Sequence, residues 1–298
     1  MDFIYHFTIF MKIKPKCVPC LIHRSLYETE LVDSSLADKV IPDVCDIFAK
    51  NYSKSTCSAT LATTVHNRVY KILNTNDPYA KIKQRSNEIV TRLLPKIKKI
   101  IKNSKDKLGA SIRCSIVGNI LDFGLIDTAK GPESFINDFE TVYNDGLKHN
   151  DTPKIKKFLK KGNRIIFFTD NCGEIIIDKL LCQELKKYGV GITLVVKGKP
   201  ILTDATMEDA KAINIRDVVD SVLTTGSGAV GVDFSKMGRR LQKELENADL
   251  IISKGMANYE SFSETDYAPI VYLMRTKCDV IANSVGVGKN WNIVKLYE

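Results

Sequence analysis

Apolar residues recur every three or four positions through much of the first half of the chain, which is the spacing of an amphipathic helix. Three stripes show it: Leu36, Val40, Val44 and Ile47; Leu61, Val65, Val69 and Ile72; and Ile82, Ile89, Leu93 and Ile97. Pro95 interrupts the third stripe, because proline lacks the amide hydrogen that a helix interior uses. Residues 108–127 also have a helical pattern. We therefore predict that residues 12–150 are mostly helical.

The pattern changes after residue 160 to short apolar runs that alternate with amphipathic helices. The predicted strands are 165–169, 192–197, 218–224, 250–254 and 270–274, and the predicted helices include 174–188 and 234–246. Such alternation is typical of a parallel, doubly wound sheet. We therefore predict a mostly helical domain, 1–150, in which 1–10 is a short apolar extension, followed by an α/β domain, 151–298.

The composition is that of an ordinary globular protein and indicates no membrane-spanning, disulfide-rich or secreted class. The 298 residues are 44% hydrophobic and 27% charged, which is ordinary. No run of about eighteen apolar residues occurs, so we expect no transmembrane helix. Eight cysteines are too few for a disulfide scaffold, and residues 1–10 lack the basic start and cleavage site of a signal peptide. We therefore expect reduced thiols and a cytoplasmic protein.

The net charge of +9 raises the question of an anionic partner, either a nucleic acid or a small substrate. Much of the excess lies in lysine-rich stretches at 96–107 and 154–161, where Phe158 is the one aromatic residue. Base stacking needs aromatic residues among the basic ones. Solvated helix faces therefore explain the lysines better than nucleic acid binding does.

The segments that follow the predicted strands carry the chemistry, since ligands of such sheets bind beyond the carboxyl ends of the strands. Asp170 and Asn171 follow the first strand, and Asp204 follows the next. Hard oxygen ligands of this kind suit Mg²⁺ or Mn²⁺. Asp170 could instead cap the helix that begins near Gly173. Glu174 suits the helix dipole or could orient a water molecule.

Two further strand ends resemble ligand sites. Lys254, beside Gly255, could approach a phosphate or be a surface lysine in a turn, and Asn258 and Glu260 in the same loop could bind a polyol. The glycine-rich segment 224–231 offers backbone amides to an anion. It lacks the Gly-Lys-Ser/Thr ending of a Walker loop and does not match the dinucleotide fingerprint.

Two motifs lie in the helical half. Asn119 and Asp122 are three residues apart, so on a helix they share a face; they could point into a cleft or mark the end of the helix. Cys17 and Cys20 form a CxxC motif that indicates paired thiols, a structural metal or two unremarkable thiols. A closed zinc site needs two more ligands, and the candidates are Cys45, Cys57, His23 and His66.

Taken together, these motifs resemble the damage-control phosphatases, formerly domain of unknown function family eighty-nine, which include the phosphatase domain of pantothenate kinase fusions. The matching strings are CVPC at 17–20, DPY at 77–79, GNILDFG at 118–124, DNCGE at 170–174, KGKPILTDATMEDA at 197–210 and SKGMANYES at 253–261. They occur in the family's order over most of the chain. The chain is most similar to the short, CxxC-bearing subfamily typical of archaea.

The resemblance implies a helical domain packed on a Rossmann-like three-layer α/β/α domain, and a metal-dependent phosphatase of small phosphorylated metabolites such as damaged ones or sugar phosphates. It implies a divalent ion, Mg²⁺, Mn²⁺, Co²⁺ or Ni²⁺, held by three ligands, with two substrate-side residues and a phosphate-side lysine. By position, the metal ligands fall on Asp170, Asn171 and Asp204. The substrate-side residues fall on Asn119 and Asp122, and the phosphate-side lysine falls on Lys254. Cys172 stands where many relatives carry alanine, a small change.

The resemblance leaves the reaction chemistry partly open. Asp170 is favoured as a metal ligand over a covalent nucleophile, because the DxD pattern of haloacid-dehalogenase-type phosphatases would require an aspartate where Cys172 stands. The general base is open among Glu174, Asp204 and a metal-bound hydroxide. A Rossmann-like nucleotide-binding protein and a carboxyl methyltransferase are the alternative functions, and the oligomeric state is not assigned.

Overall fold

A mixed, mostly parallel sheet forms the centre of the molecule. The computed structural model describes residues 11–122 and 131–298, and within them the strands are β1 (His149–Asn150), β2 (Arg164–Phe168), β3 (Gly191–Val196), β4 (Ser221–Thr224), β5 (Leu250–Lys254), β6 (Ile270–Arg275) and β7 (Asn292–Tyr297). Their order across the sheet is β1-β7-β6-β5-β2-β3-β4. β6 and β7 pair antiparallel, and the remaining pairs are parallel.

Helices cover both faces of this sheet. Within the same residues they are α1 (Cys17–Val32), α2 (Ala37–Asn51), α3 (Ser58–Ile72), α4 (Ala80–Asn103), α5 (Lys107–Gly118), α6 (Phe135–Asn144), α7 (Thr152–Ile155), α8 (Glu174–Lys186), α9 (Met207–Ala212), α10 (Arg239–Glu246), α11 (Gly255–Phe262) and α12 (Asp279–Val285). Short 3-10 turns lie at Ser34–Leu36, Pro132–Ser134, Ile215–Asp217 and Phe234–Lys236. The predicted α/β fold with a mostly parallel sheet is confirmed.

The sheet has a hydrophobic core on each face, and a central strand contributes side chains to both, because successive side chains of a strand point to opposite faces. In β2, Ile165 and Phe167 pack with α4, α5, α6 and α8 in one core, whereas Ile166 and Phe168 pack with α10, α11 and α12 in the other. A strand buried on both faces has to be apolar throughout. This explains why the central strands read as unbroken hydrophobic runs.

A third core joins the first three helices to the carboxyl edge of the sheet. It contains Val40, Val44, Leu61, Val65 and Val69 from α2 and α3, together with Ile201, Leu202 and Val230 from the loops after β3 and β4. These contacts hold α1 and α3 over that edge. A cleft is thereby formed between the helices and the strand ends.

The helical half was predicted correctly in type but not in every boundary. α4 runs through Pro95, which is exposed; on the solvent side, water can satisfy the carbonyl that proline leaves unpaired. The helix predicted over 108–127 ends at Gly118, and its residues 123–127 fall outside the described part of the chain. The extension at 1–10 lies outside it too.

In the second half, the predicted helix 234–246 is a 3-10 turn followed by α10. The sequence prediction missed β1 and β7. β1 pairs with β7, and α4, α5 and α6 share a core with the sheet, so the division near residue 150 stays a sequence-based prediction. Nowhere in the described ranges is a helix both long and apolar enough to cross a membrane.

Candidate functional site

The carboxyl ends of β2 and β3 bring three predicted ligand residues together. β2 lies between β5 and β3. The chain continues from β2 into α8 on one face of the sheet and from β5 into α11 on the other, and such a switch point leaves a crevice. The amide of Ala205 donates to the carbonyl of Asp170 at 2.8 Å, and Asn171 and Asp204 form an isolated antiparallel bridge. Asp170, Asn171 and Asp204 consequently line one cavity.

The two carboxylates of this group are buried, and other negatively charged side chains lie near them. Asp170 is 6% exposed and Asp204 is 5% exposed. Burial, followed by the charges of Asp204 and Glu174, raises the pKa of Asp170 well above its usual value. Burial also raises the pKa of Asp204, although Lys197 opposes it with an ion pair of 3.1 Å. Buried carboxylates in this arrangement call for a compensating cation.

Amide side chains hold these carboxylates in place. The Nδ2 atoms of Asn119 and Asn171 donate to Asp170 Oδ2 at 2.6 and 2.9 Å, and Thr203 Oγ1 donates to Asn171 Oδ1 at 2.6 Å. Asn119 is fully buried at the end of α5. It therefore positions Asp170, and it does not line the cavity where substrate would bind. Its expected contact with substrate stays a prediction.

Lys254 occupies a different place from the one expected. It is 0% exposed, pairs with Glu174 and, at 2.7 Å, with Asp178 Oδ1, and donates to the carbonyl of Ser115 at 3.4 Å. Burial opposes its charge, but Asp178 and Glu174 raise the pKa of Lys254 above its usual value. This lysine is therefore a buried counter-ion beneath the site, and it does not lie on the cavity wall.

Glu174 and Asn258 are likewise engaged below the surface. Glu174 accepts from Asn171 Nδ2 at 2.9 Å and from Asn119 Nδ2 at 3.1 Å besides pairing with Lys254. Asn258 Nδ2 donates to the carbonyls of Thr169 and Lys254 at 2.9 and 2.8 Å, as a brace between β2 and α11. Neither side chain lines the cavity, so the structure gives them supporting positions and does not place Asn258 against a substrate.

Gly255 brings the backbone of α11 against the candidate metal ligands. Its φ is +76°, a region that favours glycine. A Cβ atom at this position would lie 2.0 Å from Asp170 Oδ2. The absence of a side chain thus lets the start of α11 contact the Asp170 carboxylate directly.

The cavity itself has a volume of about 270 Å³. Two cations stand on its wall near the carboxylates: Lys277, which pairs with Asp122 Oδ2 at 2.9 Å, and Arg24, which pairs with Asp122 Oδ1. Burial opposes ionisation of Asp122, yet these cations hold its pKa below the usual value. Asp122 therefore lines the cavity as expected, and its role is to fix two cations.

A third part of the cavity wall is formed by thiols. Cys17 and Cys20 line it together with Cys278 and Glu260. Burial, with smaller contributions from Glu260 and the two other thiols, raises the pKa of Cys17 to about 11. Burial also raises the pKa of Glu260 to about 7. Glu260 is thus placed on the cavity as predicted.

The structure does not bring Cys45 and Cys57 to the CxxC motif as further ligands for a structural metal. Cys45 is exposed on α2, and Cys57 pairs through its backbone with Lys12. Over residues 11–122 and 131–298, no group of three or more His, Cys, Asp or Glu side chains could hold a metal ion. The two thiols instead belong to the cavity wall.

Asp170, Asn171 and Asp204 form a candidate metal site of another kind, because Asn171 contributes an amide oxygen in place of a third His, Cys, Asp or Glu side chain. Two carboxylates and one amide oxygen are hard ligands that suit Mg²⁺ or Mn²⁺, which keep several positions for water and substrate oxygens. The raised pKa of Asp170 and Asp204 fits the same interpretation. The residues present therefore fit a divalent cation completed by water or a phosphate.

Sequence reasoning missed the two cations that pair with Asp122, Lys277 and Arg24. Lys277 follows the carboxyl end of β6, so the rule that directed attention to strand ends could have found it. Arg24 lies in the middle of α1, and nothing in the local pattern distinguishes it. Its place on the cavity depends on how α1 packs over the sheet.

Comparisons with known proteins place this arrangement in context. A family model described as the damage-control phosphatase ARMT1-like domain matches residues 13–293. A damage-control phosphatase of Archaeoglobus fulgidus is 40% identical over 290 residues, which are 97% of this chain and 100% of the relative. Another, from Pyrococcus horikoshii, is 26% identical over 282 residues, or 94% and 96% of the two chains.

A solved structure agrees with these relatives. The crystal structure of a DUF89 family protein from Pyrococcus horikoshii superposes with a TM-score of 0.85 and 25% sequence identity. It covers 97% of this chain and 100% of its own. The similarity therefore extends over both the helical half and the α/β half.

Proposed function

The chain belongs to the damage-control phosphatase family, and from this premise we propose that it hydrolyses phosphomonoesters of small metabolites with a divalent metal ion bound by Asp170, Asn171 and Asp204. The observation that carries the proposal is the convergence of two buried carboxylates and an amide on a cavity that also presents Lys277. Carboxylates alone would repel a phosphate. A cation between them, together with Lys277 and Arg24, would make the site attractive to one.

The metal, when bound, would polarise the phosphoryl oxygens and favour ionisation of a water molecule. Lys277 and Arg24 are positioned to neutralise the remaining charge on the phosphate, which grows on its equatorial oxygens during transfer. Asp122 keeps both cations at the cavity wall. Asn119 donates to Asp170 and so fixes the direction of that carboxylate before substrate arrives.

The two side chains that could act as general base, Glu174 and Asp204, differ in whether they line the cavity. Glu174 is surrounded by Lys254, Asn119 and Asn171 and does not reach the cavity. Asp204 does line the cavity. Of the two, we favour Asp204 as the side chain that accepts a proton from the attacking water, and we assign Glu174 to positioning.

Sugar phosphates and damaged phosphorylated metabolites are the substrate classes we propose. A volume of about 270 Å³ admits a small phosphorylated metabolite. The wall away from the carboxylates combines apolar side chains such as Leu21 and Val230 with the polar Glu260 and the thiols, so a substrate's organic part would meet both kinds of surface.

The proposal is tested by assaying phosphate release from p-nitrophenyl phosphate. We expect activity with added Mg²⁺, Mn²⁺, Co²⁺ or Ni²⁺. Asp170→Asn should lower it by at least about 100-fold, because the substitution removes one of the carboxylates that would bind the metal. Asp217→Asn is the matched control, since Asp217 is an exposed carboxylate whose nearest cation, Lys179, is 3.9 Å away. Equal activity of Asp170→Asn and Asp217→Asn would exclude the site.

A further inference from the structure

A histidine on the opposite wall of the cavity takes no part in the chemistry described so far. His66 lies on α3 and is fully buried, yet it lines the same cavity as Asp170 and Asp204. Its Nδ1 atom lies 3.0 Å from Glu28 Oε2 and 2.8 Å from Glu28 Oε1. Glu28 is itself fully buried in α1 and also accepts from the hydroxyl of Tyr79 at 3.3 Å.

The partnership with Glu28 decides which nitrogen of the ring carries hydrogen. An ionised carboxylate can accept hydrogen bonds but not donate them, so a neutral His66 ring carries its hydrogen on Nδ1. The second nitrogen, Nε2, is then a bare acceptor. A carboxylate that orients a histidine in this way fixes both the tautomer and the direction of the ring.

Nε2 has no hydrogen-bond partner within residues 11–122 and 131–298. Buried polar atoms of proteins are nearly always hydrogen-bonded, so an exception on a cavity wall indicates a partner supplied from elsewhere. The acceptor faces away from Glu28 and belongs to a side chain that lines the cavity. Ser58 and Ala62 of the same helix line it too, so this face of α3 borders the cavity.

We propose that His66 Nε2 accepts a hydrogen bond from a hydroxyl group on the organic part of the substrate, with Glu28 as the positioning residue that sets its tautomer. This inference rests on the proposed phosphatase function, because it assumes that the phosphate is held at Asp170, Asn171 and Asp204. It adds a specificity element: the enzyme prefers phosphomonoesters whose organic part carries a hydroxyl over those with a plain hydrocarbon chain.

The test compares two phosphomonoesters of equal length, a hexitol 1-phosphate and 1-hexyl phosphate, on the metal-supplied enzyme. We expect the parent protein to prefer the hexitol ester. His66→Phe, which keeps a ring but removes both nitrogens, should lower kcat/KM for the hexitol ester by about tenfold, as for loss of a hydrogen bond, and change the hexyl ester by less than threefold. Equal losses on both esters, or no loss on either, would overturn the proposal.

Two further variants separate recognition from folding. His66→Phe leaves the Glu28 carboxylate buried without its partner, so the double variant His66→Phe with Glu28→Gln removes that charge and should show the same selective loss. Tyr79→Phe is the matched control, because it removes the other hydrogen bond to Glu28 and leaves His66 in place. A selective loss in Tyr79→Phe as large as that in the double variant would assign the effect to packing.

A direct measurement keeps this inference distinct from the proposed function. The chain has four histidines, so ¹⁵N-histidine labelling resolves His66 by comparison with His66→Phe. We expect a hydrogen on Nδ1, with the Nε2 resonance shifted by the hexitol phosphate and not by hexyl phosphate. If the hexitol ester shifts it but is never hydrolysed, the phosphatase proposal fails and the histidine site stands. If hydrolysis occurs with no shift, the histidine site fails alone.

Discussion

The buried lysine under the site gives a prediction that separates a supporting role from contact with phosphate. Lys254→Met keeps the length of the side chain but leaves Glu174 and Asp178 without the cation that pairs with both. Breaking a buried ion pair by removing one partner costs about 3–5 kcal/mol. Since two carboxylates lose the same partner here, we expect a loss of unfolding free energy at the upper end, about 5 kcal/mol.

Chemical denaturation at pH 7.5, followed by circular dichroism, measures that loss. Lys187→Met is the matched control, because Lys187 is exposed and pairs with Glu184 at 2.6 Å on the protein surface, and such pairs contribute less than about 1 kcal/mol. The double variant Lys254→Met with Asp178→Leu should regain part of the stability, since only Glu174, which keeps its bonds to Asn119 and Asn171, remains unpaired.

The pH dependence of the variant provides an internal check. Burial raises the pKa of Asp178 to about 6 although Lys254 opposes this, and without Lys254 the pKa must rise further. A carboxyl with a raised folded-state pKa binds its proton more tightly in the folded protein, so stability falls as pH rises from about 4 through 6. Lys254→Met should therefore lose less stability at pH 5 than at pH 7.5. A variant that unfolds like the parent but loses 100-fold in kcat/KM would refute this interpretation of Lys254.

Three other substitutions test separate parts of the cavity. Lys277→Met should lower kcat/KM for p-nitrophenyl phosphate by roughly two to three decades, as for loss of an electrostatic donor, and should cost less stability than Lys254→Met because Asp122 keeps its pair with Arg24; a change below threefold in kcat/KM would remove it from the site. Gly255→Ala should lower activity at least about 100-fold in the same assay, because its Cβ would displace the Asp170 carboxylate, and parent-like turnover would contradict that close approach. Cys17→Ser with Cys20→Ser should alter KM more than the melting temperature, since both thiols line the cavity; a lower melting temperature with unchanged KM would restore a structural role.

The sheet was predictable because its central strands are apolar on both faces, as Ile165–Phe168 illustrates. β7 was missed because Asn292 and Lys295 break its hydrophobic run, and its pairing with β6 depends on chain segments distant in sequence. Local patterns report burial along one segment. They do not report which distant segment completes the sheet.

The candidate ligands were found for the same local reason, since Asp170 and Asp204 follow recognisable strands. The buried position of Lys254 at the end of β5 was not predicted, because its partners come from a distant helix, α8. Glu174 and Asp178 are four residues apart among the buried apolar residues of α8, and this spacing was the available sign that two buried carboxylates need a cation. Nothing local to α1 or α3 indicates that Glu28 and His66 meet.

The most direct measurement titrates Mn²⁺ into metal-stripped protein while bound Mn²⁺ is followed by electron paramagnetic resonance and phosphate release is assayed in parallel. We predict that activity rises in proportion to one Mn²⁺ bound per chain through Asp170, Asn171 and Asp204, and that Asp204→Asn loses binding and activity together. Full phosphatase activity in the stripped protein, or Mn²⁺ binding that persists unchanged in Asp204→Asn, would contradict a metal-dependent phosphatase at this site.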